Sequence, residues 1–197
     1  MDNVYKAPEA ELVQLPRSEF GRPFFITSIS KLCLLYMFSF GLYALYWGYK
    51  QWDSQRFAVG KKIWPIWRTL FLLFYTHSLS RLIAVRLDQQ QQPAWRYNGT
   101  AICYVVMWLV SLAAFFYPGG LLPPLAELFV WLALLVGSVL PLVAIQRRAN
   151  LASLDPQGQS NSSYSAFNWL FMVIGAVIWA LAILGYVMLA LGLVPES

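Results

Sequence analysis

The chain has 197 residues, of which 59% are hydrophobic and 12% are charged. Soluble domains average about 45–50% apolar and about 25% charged residues, so the composition excludes an ordinary water-soluble globule and favours a membrane protein. The 14 Lys and Arg exceed the 9 Asp and Glu, which gives a net charge of +5. This excess fits anchoring to anionic membrane lipids better than a nucleic-acid-binding face, and we expect no nucleic-acid partner.

The supply of metal-binding side chains is small, with two cysteines, Cys33 and Cys103, and one histidine, His77. The cysteines stand alone in separate apolar stretches, so we expect no disulfide framework, no metal and no other cofactor. The sequence contains no P-loop, no G-x-S-x-G nucleophile turn and no H-E-x-x-H zinc motif. We therefore expect no catalytic residues and a protein that is not an enzyme.

Residues 1–23 carry several acids and no apolar core of the signal-peptide type, which indicates a flexible polar tail. After it we predict a single helical membrane domain over residues 24–197. Its first helix is predicted over residues 30–49. An uncharged window between Lys31 and Lys50 is about 27 Å long as a helix, and both lysines can extend their ammonium groups to the interface.

Amphipathic side chains crowd the end of this first helix, namely Tyr43, Tyr46, Trp47, Lys50 and Trp52. Tyr and Trp rings settle at the level of the lipid headgroups, so an interfacial aromatic belt explains the pattern. The functional alternative is a groove for a lipid or a peptide, with Lys50 close to a phosphate.

The next predicted helix, residues 63–85, is ambiguous because its uncharged part is only about 18 Å long. Its polar side chains share one stripe, as expected of an amphipathic interfacial helix or of a fifth span whose stripe faces its neighbours. His77 and Arg81 are one helical turn apart, and Arg68, Arg81 and Arg86 could together hold an anionic headgroup. The alternative for these arginines is a snorkelling, positive-inside array.

Three more helices are predicted, over residues 99–117, 125–145 and 167–194. The first two form a helical hairpin, since Pro and Gly at residues 118–124 interrupt an otherwise uncharged stretch. The last is long enough to span with tilt. The predicted fold is therefore an all-α, multi-pass membrane protein with four transmembrane helices plus one amphipathic or fifth spanning helix.

Glu127 lies within a predicted membrane helix, where a carboxylate is a candidate for proton or cation handling. It also follows Pro123 and Pro124 in the first turn, where a carboxylate complements the helix dipole and reaches interfacial water. Pro141, near the other end of the same helix, is expected to kink it.

Orientation follows from the positive-inside rule, which places Arg147 and Arg148 in the cytoplasm. The 118–124 turn and the C-terminus are then predicted to be periplasmic. The side of the N-terminus depends on whether residues 63–85 cross the bilayer, and the two possibilities give nearly equal balances of Lys and Arg.

Several short motifs indicate a family. They are Asn3-Val4-Tyr5-Lys6-Ala7-Pro8-Glu9-Ala10-Glu11-Leu12, Phe40-Gly41-Leu42-Tyr43, Tyr46-Trp47, Tyr49-Lys50, Trp52, Pro65-x-x-Arg68 and Gln146-Arg147-Arg148-Ala149-Asn150. On these motifs the chain resembles an uncharacterised proteobacterial inner-membrane protein family, although Val4 stands where that family usually has Pro. The resemblance implies the bacterial inner membrane and a cytoplasmic tail, and it implies no mechanism.

The leading functional hypothesis is a non-enzymatic protein that binds lipid or a membrane-protein partner through the Tyr43–Trp52 aromatic end and the basic surface from Lys50 to Arg86. The second is a small transporter or channel subunit in which Glu127 and His77 line a polar path, which would require a homodimer. A lipid-acting membrane enzyme comes third, because no pair of titratable residues has a catalytic spacing.

Overall fold

The computed structural model describes residues 23–56, 63–116 and 121–194. In these ranges the chain forms seven α-helices and no strand: α1 (Ile29–Phe38), α2 (Tyr43–Ser54), α3 (Pro65–Leu70), α4 (Leu72–Gln89), α5 (Tyr97–Phe115), α6 (Pro124–Ala152) and α7 (Ala166–Ala190). The all-helical prediction is confirmed for this part of the chain. Nearly all of the predicted tail and the first half of the predicted 118–124 turn lie outside the described residues.

Three of these helices, α5, α6 and α7, are long and apolar enough to cross a membrane. They have 19, 29 and 25 residues and lie where helices were predicted over 99–117, 125–145 and 167–194. At 1.5 Å per residue, α6 is about 44 Å long, well beyond the hydrocarbon thickness of about 30 Å. The prediction of a membrane protein is therefore supported. The helix predicted as a further span over residues 30–49 and the possible fifth span over residues 63–85 are not among these three helices.

The single helix predicted over residues 30–49 is wrong, because the chain turns between α1 and α2. α1 ends in a Schellman motif, in which the amide of Gly41 donates to the carbonyl of Tyr36 at 2.9 Å. Phe40 and Gly41 both take positive φ angles, of 52° and 87°. The hydroxyl of Ser39 then accepts the first backbone N–H of α2 at 2.9 Å. Two short helices therefore replace the predicted span.

The helix predicted over residues 63–85 is also divided, with the break at Phe71. α3 has 6 residues and α4 has 18, and neither is among the described helices that are long and apolar enough to cross a membrane. The predicted polar stripe of α4 separates into two sets. Thr76 and Ser80 are fully buried, whereas His77 and Arg81 are exposed. The described helices therefore contain no fifth span at this position.

α1 and α2 form a hairpin whose tip reaches the middle of the long helices. The hydroxyls of Tyr36, near the end of α1, and Ser138, near the midpoint of α6, are 2.8 Å apart. On the other side, the indole N–H of Trp179 in α7 donates to the carbonyl of Met37 at 3.1 Å. Gly175 allows this contact, since a Cβ there would overlap the backbone at the end of α1. α1 therefore stops about halfway along its neighbours.

The two halves of α6 have different surroundings. Its first half, up to Gly137, is half-buried or exposed, whereas its second half is buried at Val139, Leu142 and Ile145. The fully buried core gathers around that second half and includes Leu79, Ile83 and Leu87 of α4. Apolar side chains exposed on α5, α7 and the first half of α6 are the arrangement expected where lipid is the solvent.

Candidate functional site

The end of the molecule where α6 finishes and α5 and α7 begin holds all of the described Lys and Arg residues. We call it the basic end and define it as residues 23–31, 46–56, 64–97 and 145–168. Every described Lys and Arg belongs to it: Lys31, Lys50, Arg56, Arg68, Arg81, Arg86, Arg96, Arg147 and Arg148. The described parts of the opposite end, residues 121–124 and 191–194, carry neither Lys nor Arg.

A non-helical segment, residues 23–28, crosses the basic end just before α1, and we call it the strap. Side-chain amides pair with its backbone as a neighbouring strand would. Gln51 accepts the N–H of Phe25 at 3.2 Å and donates to the carbonyl of the same residue at 3.0 Å. Asn150 makes the same pair of bonds to Thr27, at 3.3 and 2.9 Å. The strap therefore pairs the backbone groups of Phe25 and Thr27 without joining a helix or sheet.

Gln146 of α6 is the centre of this buried network. Its Oε1 accepts from the indole Nε1 of Trp47 at 2.5 Å and from Nε2 of Gln51 at 2.9 Å. Its Nε2 donates to the carbonyl of Phe25 at 3.0 Å and to Oδ1 of Asn150 at 2.6 Å. All four groups of the amide–indole cluster are fully buried. The network therefore ties α2, α6 and the strap together by buried hydrogen bonds.

Two of the predicted aromatic site residues belong to this interior rather than to a surface. Trp47 and Trp52 are both 0% exposed. The predicted aromatic belt and the alternative of a ring-lined groove are therefore both wrong for these two side chains. Tyr46 is half exposed, while Tyr43 and Lys50 are partly buried. The sequence pattern could not separate these cases, because an amphipathic ring suits an interface and a hydrogen-bonded core equally well.

Arg68 lies over two aromatic rings at the junction of α2, α3 and α4. Its guanidinium carbon is 4.3 Å from the ring centroid of Trp52 and 5.1 Å from that of Tyr75. These distances are those of cation–π contacts. Beside it is an open groove of about 370 Å³, which Trp64 and Trp67 also line. The predicted basic and aromatic residues are brought together here, with two further tryptophans that were not predicted.

His77 and Arg81 lie on the exposed side of α4, away from this groove. The ring of His77 contacts that of Tyr97 edge-on, with 5.1 Å between centroids. Arg86 is separate again, with its guanidinium 5.7 Å from the ring centroid of Phe24 in the strap. The predicted anion site composed of Arg68, Arg81 and Arg86 is therefore spread along α3 and α4.

Glu127 lies in the first turn of α6, partly buried, as far from the basic end as that helix allows. Met107 of α5 approaches Gly137 of α6, so the two helices pack side by side and Tyr97 is level with the end of α6. The distance between Glu127 and His77 along the helix axes therefore corresponds to about 20 helical residues, or about 30 Å. They do not share a path within one chain.

A second cavity, of about 320 Å³, lies between α1, α2 and the start of α7. Lys31 lines it although the residue is only 7% exposed. Its Nζ donates to Oδ1 of Asn161 at 2.6 Å and to the carbonyl of Ser163 at 2.8 Å. In the part of the chain that the structure describes, no carboxylate lies within ion-pair distance of this ammonium.

Sequence reasoning missed the polar residues that organise the basic end: Gln51, Gln146, Asn150, Asn161 and Ser153. One signal was available, because Gln146 and Asn150 are one helical turn apart in a stretch that is otherwise apolar or basic. Amides at that spacing share one face of a helix. Their partner, the backbone of the strap, is more than 100 positions away in sequence and leaves no local pattern.

No family model matches the chain, and neither a curated protein nor a solved structure matches it. Among residues 23–56, 63–116 and 121–194, no group of three His, Cys, Asp or Glu is placed to hold a metal ion. The candidate sites are therefore the Arg68 groove and the Lys31 cavity, both at the basic end.

Proposed function

We propose that the protein is a non-enzymatic integral protein of the bacterial inner membrane that binds anionic lipid on its cytoplasmic face. Three helices, α5, α6 and α7, cross the bilayer. The α1–α2 hairpin enters from the cytoplasmic side and returns to it, and α3 and α4 lie at that surface. The observation that carries the proposal is the separation of charge, with all described Lys and Arg at one end.

The length of the hairpin supports its return to the same side. α1 has 10 residues, which is about 15 Å of helix and half of the hydrocarbon thickness. Backbone N–H groups at membrane depth must be paired within the protein. In the turn between α1 and α2, the amides of Phe40, Gly41 and Leu42 donate to carbonyls of α1 and its C-cap. The ring of Phe40 also stacks on Trp179 of α7 with centroids 4.8 Å apart.

Returning the hairpin to its side of entry changes the charge balance. The predicted crossing helix would have carried Lys50 and Arg56 to the periplasmic side. With a returning hairpin they stay with Arg147 and Arg148, and the positive-inside rule favours this end in the cytoplasm. The 121–124 turn and the end of α7 are then periplasmic.

Cysteine labelling tests this topology in intact cells. Starting from a chain in which Cys33 and Cys103 are replaced by Ser, single cysteines are placed at Arg56 and at Leu122, and a membrane-impermeant maleimide is added. We expect labelling of Leu122→Cys in intact cells and labelling of Arg56→Cys only after lysis. Labelling of Arg56→Cys in intact cells would mean that α1 and α2 carry the chain across, and would refute the returning hairpin.

The Arg68 groove supports lipid binding at this face. Trp64 and Trp67 are 62% and 57% exposed beside the guanidinium, so apolar rings and a cation open onto the same groove. Tryptophan favours the membrane interface, and a guanidinium suits a lipid phosphate. Stacking on Trp52 and Tyr75 holds the guanidinium in place before a lipid binds.

Native mass spectrometry of the purified protein tests the lipid proposal. The variant Arg68→Gln is compared with Arg147→Gln, which removes the same charge from the exposed end of α6. We expect Arg68→Gln to retain less phosphatidylglycerol than Arg147→Gln. Equal retention by the two variants would reduce the interaction to net charge and refute a site at Arg68.

A transporter or channel subunit is the second candidate, and the geometry favours it less. Its two polar residues, Glu127 and His77, are about 30 Å apart along the bundle. Proteoliposome flux that falls in the double variant Glu127→Gln with His77→Ala would restore this candidate.

A further inference from the structure

We propose that the cavity around Lys31 is a second anion site, built for the phosphate group of a phospholipid that enters between α2 and α7. It differs from the Arg68 groove in position and in construction. The groove is open and its cation stacks on rings, whereas the cavity encloses a lysine ammonium held by oxygen acceptors.

The argument begins with the cost of burying the ammonium. A buried charge without an opposite charge costs several kcal/mol, and hydrogen bonds to neutral oxygens offset only part of that cost. Among the described residues, Lys31 has two such acceptors, Asn161 and Ser163, while an ammonium carries three donors. An anion in the adjoining cavity supplies both the missing acceptor and the missing charge.

The start of α7 adds positive potential to the same cavity. Ser165, its N-cap, and Asn168, in its first turn, both line the space. The N-terminus of a long helix carries about half a positive elementary charge from its aligned peptide dipoles, and it favours phosphate. The cavity therefore receives a lysine ammonium and a helix N-terminus from two different elements.

The remaining walls are aromatic. Phe25, Tyr43, Tyr46 and Tyr164 line the cavity, and the rings of Tyr164 and Trp169 are 5.7 Å apart. Beyond them, α7 exposes the large apolar side chains of Phe167 and Trp169. Its volume of about 320 Å³ is at the lower end of the range for small-ligand pockets, about 300–1,000 Å³. A headgroup fits inside while its acyl chains continue along α7.

Binding is measured on the full chain in detergent with short-chain phosphatidylglycerol, using phosphatidylcholine and glycerol 3-phosphate as the comparison ligands. Lys31→Met removes the ammonium and keeps most of the side-chain length. Arg96→Met is the control, since Arg96 is an exposed cation of the basic end that does not line the cavity.

Asn168→Asp is the variant that keeps the fold. Oδ1 of Asn168 accepts from the amide and the hydroxyl of Ser165, both at 3.0 Å, and an aspartate oxygen accepts the same bonds. The substitution therefore preserves the start of α7 while adding a negative charge to the cavity wall. Its melting temperature serves as the check on folding.

We expect Lys31→Met and Asn168→Asp each to weaken phosphatidylglycerol binding by at least about tenfold, and Arg96→Met to change it by less than about twofold. Phosphatidylglycerol binding that is unchanged in a folded Asn168→Asp variant would overturn the proposal. Equally tight binding of glycerol 3-phosphate would support the phosphate site and overturn a lipid as its source. All of these measurements are made in the Arg68→Gln background, which removes the cation of the groove, so that phosphatidylglycerol binding reports the Lys31 cavity and failure at one site leaves the other testable.

Discussion

Replacing Gln146 by Met tests the hydrogen-bonded centre of the basic end. Methionine has a similar unbranched shape but removes all four bonds of the amide. At about 0.5–1.5 kcal/mol for each net hydrogen bond, the loss is about 2–6 kcal/mol. We expect a total loss in the upper part of this range, because the indole N–H of Trp47 is left without its partner in a fully buried position.

The measurement is reversible unfolding in detergent, followed by circular dichroism. Arg147→Gln, the next residue and an exposed one, is the control and is expected to change the free energy of unfolding by less than about 0.5 kcal/mol. Gln51→Met, alone and combined with Gln146→Met, completes a double-mutant cycle. Because the two amides share a bond and the carbonyl of Phe25, the double variant should lose less than the two single losses together.

A Gln146→Met variant that unfolds within about 0.5 kcal/mol of the wild type would refute this reasoning. Strict additivity in the cycle would refute the shared network while leaving a local role for each amide. The first result would mean that the stability of the fold does not depend on the amide of Gln146.

Three further predictions concern the loop after α6 and the contact between α1 and α7. Gly158→Ala should lower the melting temperature, since Gly158 has a φ of 67° and a Cβ there would overlap the backbone of the strap; an unchanged melt would exclude this close approach. Gly175→Leu should separate α1 from α7, because Gly175 lies against the backbone of Phe38. The indole of Trp179 should then lose its hydrogen bond to the carbonyl of Met37, and a shift in the fluorescence of Trp179 checks this. The hydrogen bond from the backbone N–H of Ser160 lowers the pKa of Asp155 below the usual value of an aspartate. A carboxyl whose pKa is lowered by folding stabilises the fold at pH values above its pKa in the unfolded chain, and this contribution is lost as the pH falls through its pKa in the folded protein. Asp155→Asn removes the contribution, so the melting temperature of the variant should fall less steeply at acid pH than that of the wild type. An identical fall in both proteins would contradict this.

The positions of α5, α6 and α7 could be predicted because a long uncharged run has few other structural outcomes in a bilayer. Their bounds were less accurate: α6 continues to Ala152, past the basic Arg147 and Arg148. The first charged residue after an apolar run indicates where a helix leaves the hydrocarbon. The helix itself continues beyond that residue into the packed basic end. Charge therefore locates the membrane boundary better than the end of the helix.

The break between α1 and α2 could not be predicted from turn chemistry. Phe40 carries the left-handed conformation, which costs a non-glycine residue about 1–2 kcal/mol. The stacking of its ring on Trp179 offsets that cost, and this contact joins residues far apart in the chain. A Phe-Gly pair among aromatic residues looks like part of an apolar helix until α7 is in place.

Burial of a lysine and placement of all described cations at one end have the same physical origin. In the proposed topology the hairpin returns to its side of entry, so it never carries Lys50 or Arg56 through hydrocarbon, where each cation would cost about 2.5–3.5 kcal/mol on insertion scales. It also brings the start of α1 back beside α6 and α7, where side-chain amides must satisfy the strap. Lys31 is enclosed by the same packing, and its cavity faces the lipid-exposed start of α7. An anionic headgroup at that point would complete the charge balance that the described protein residues leave open.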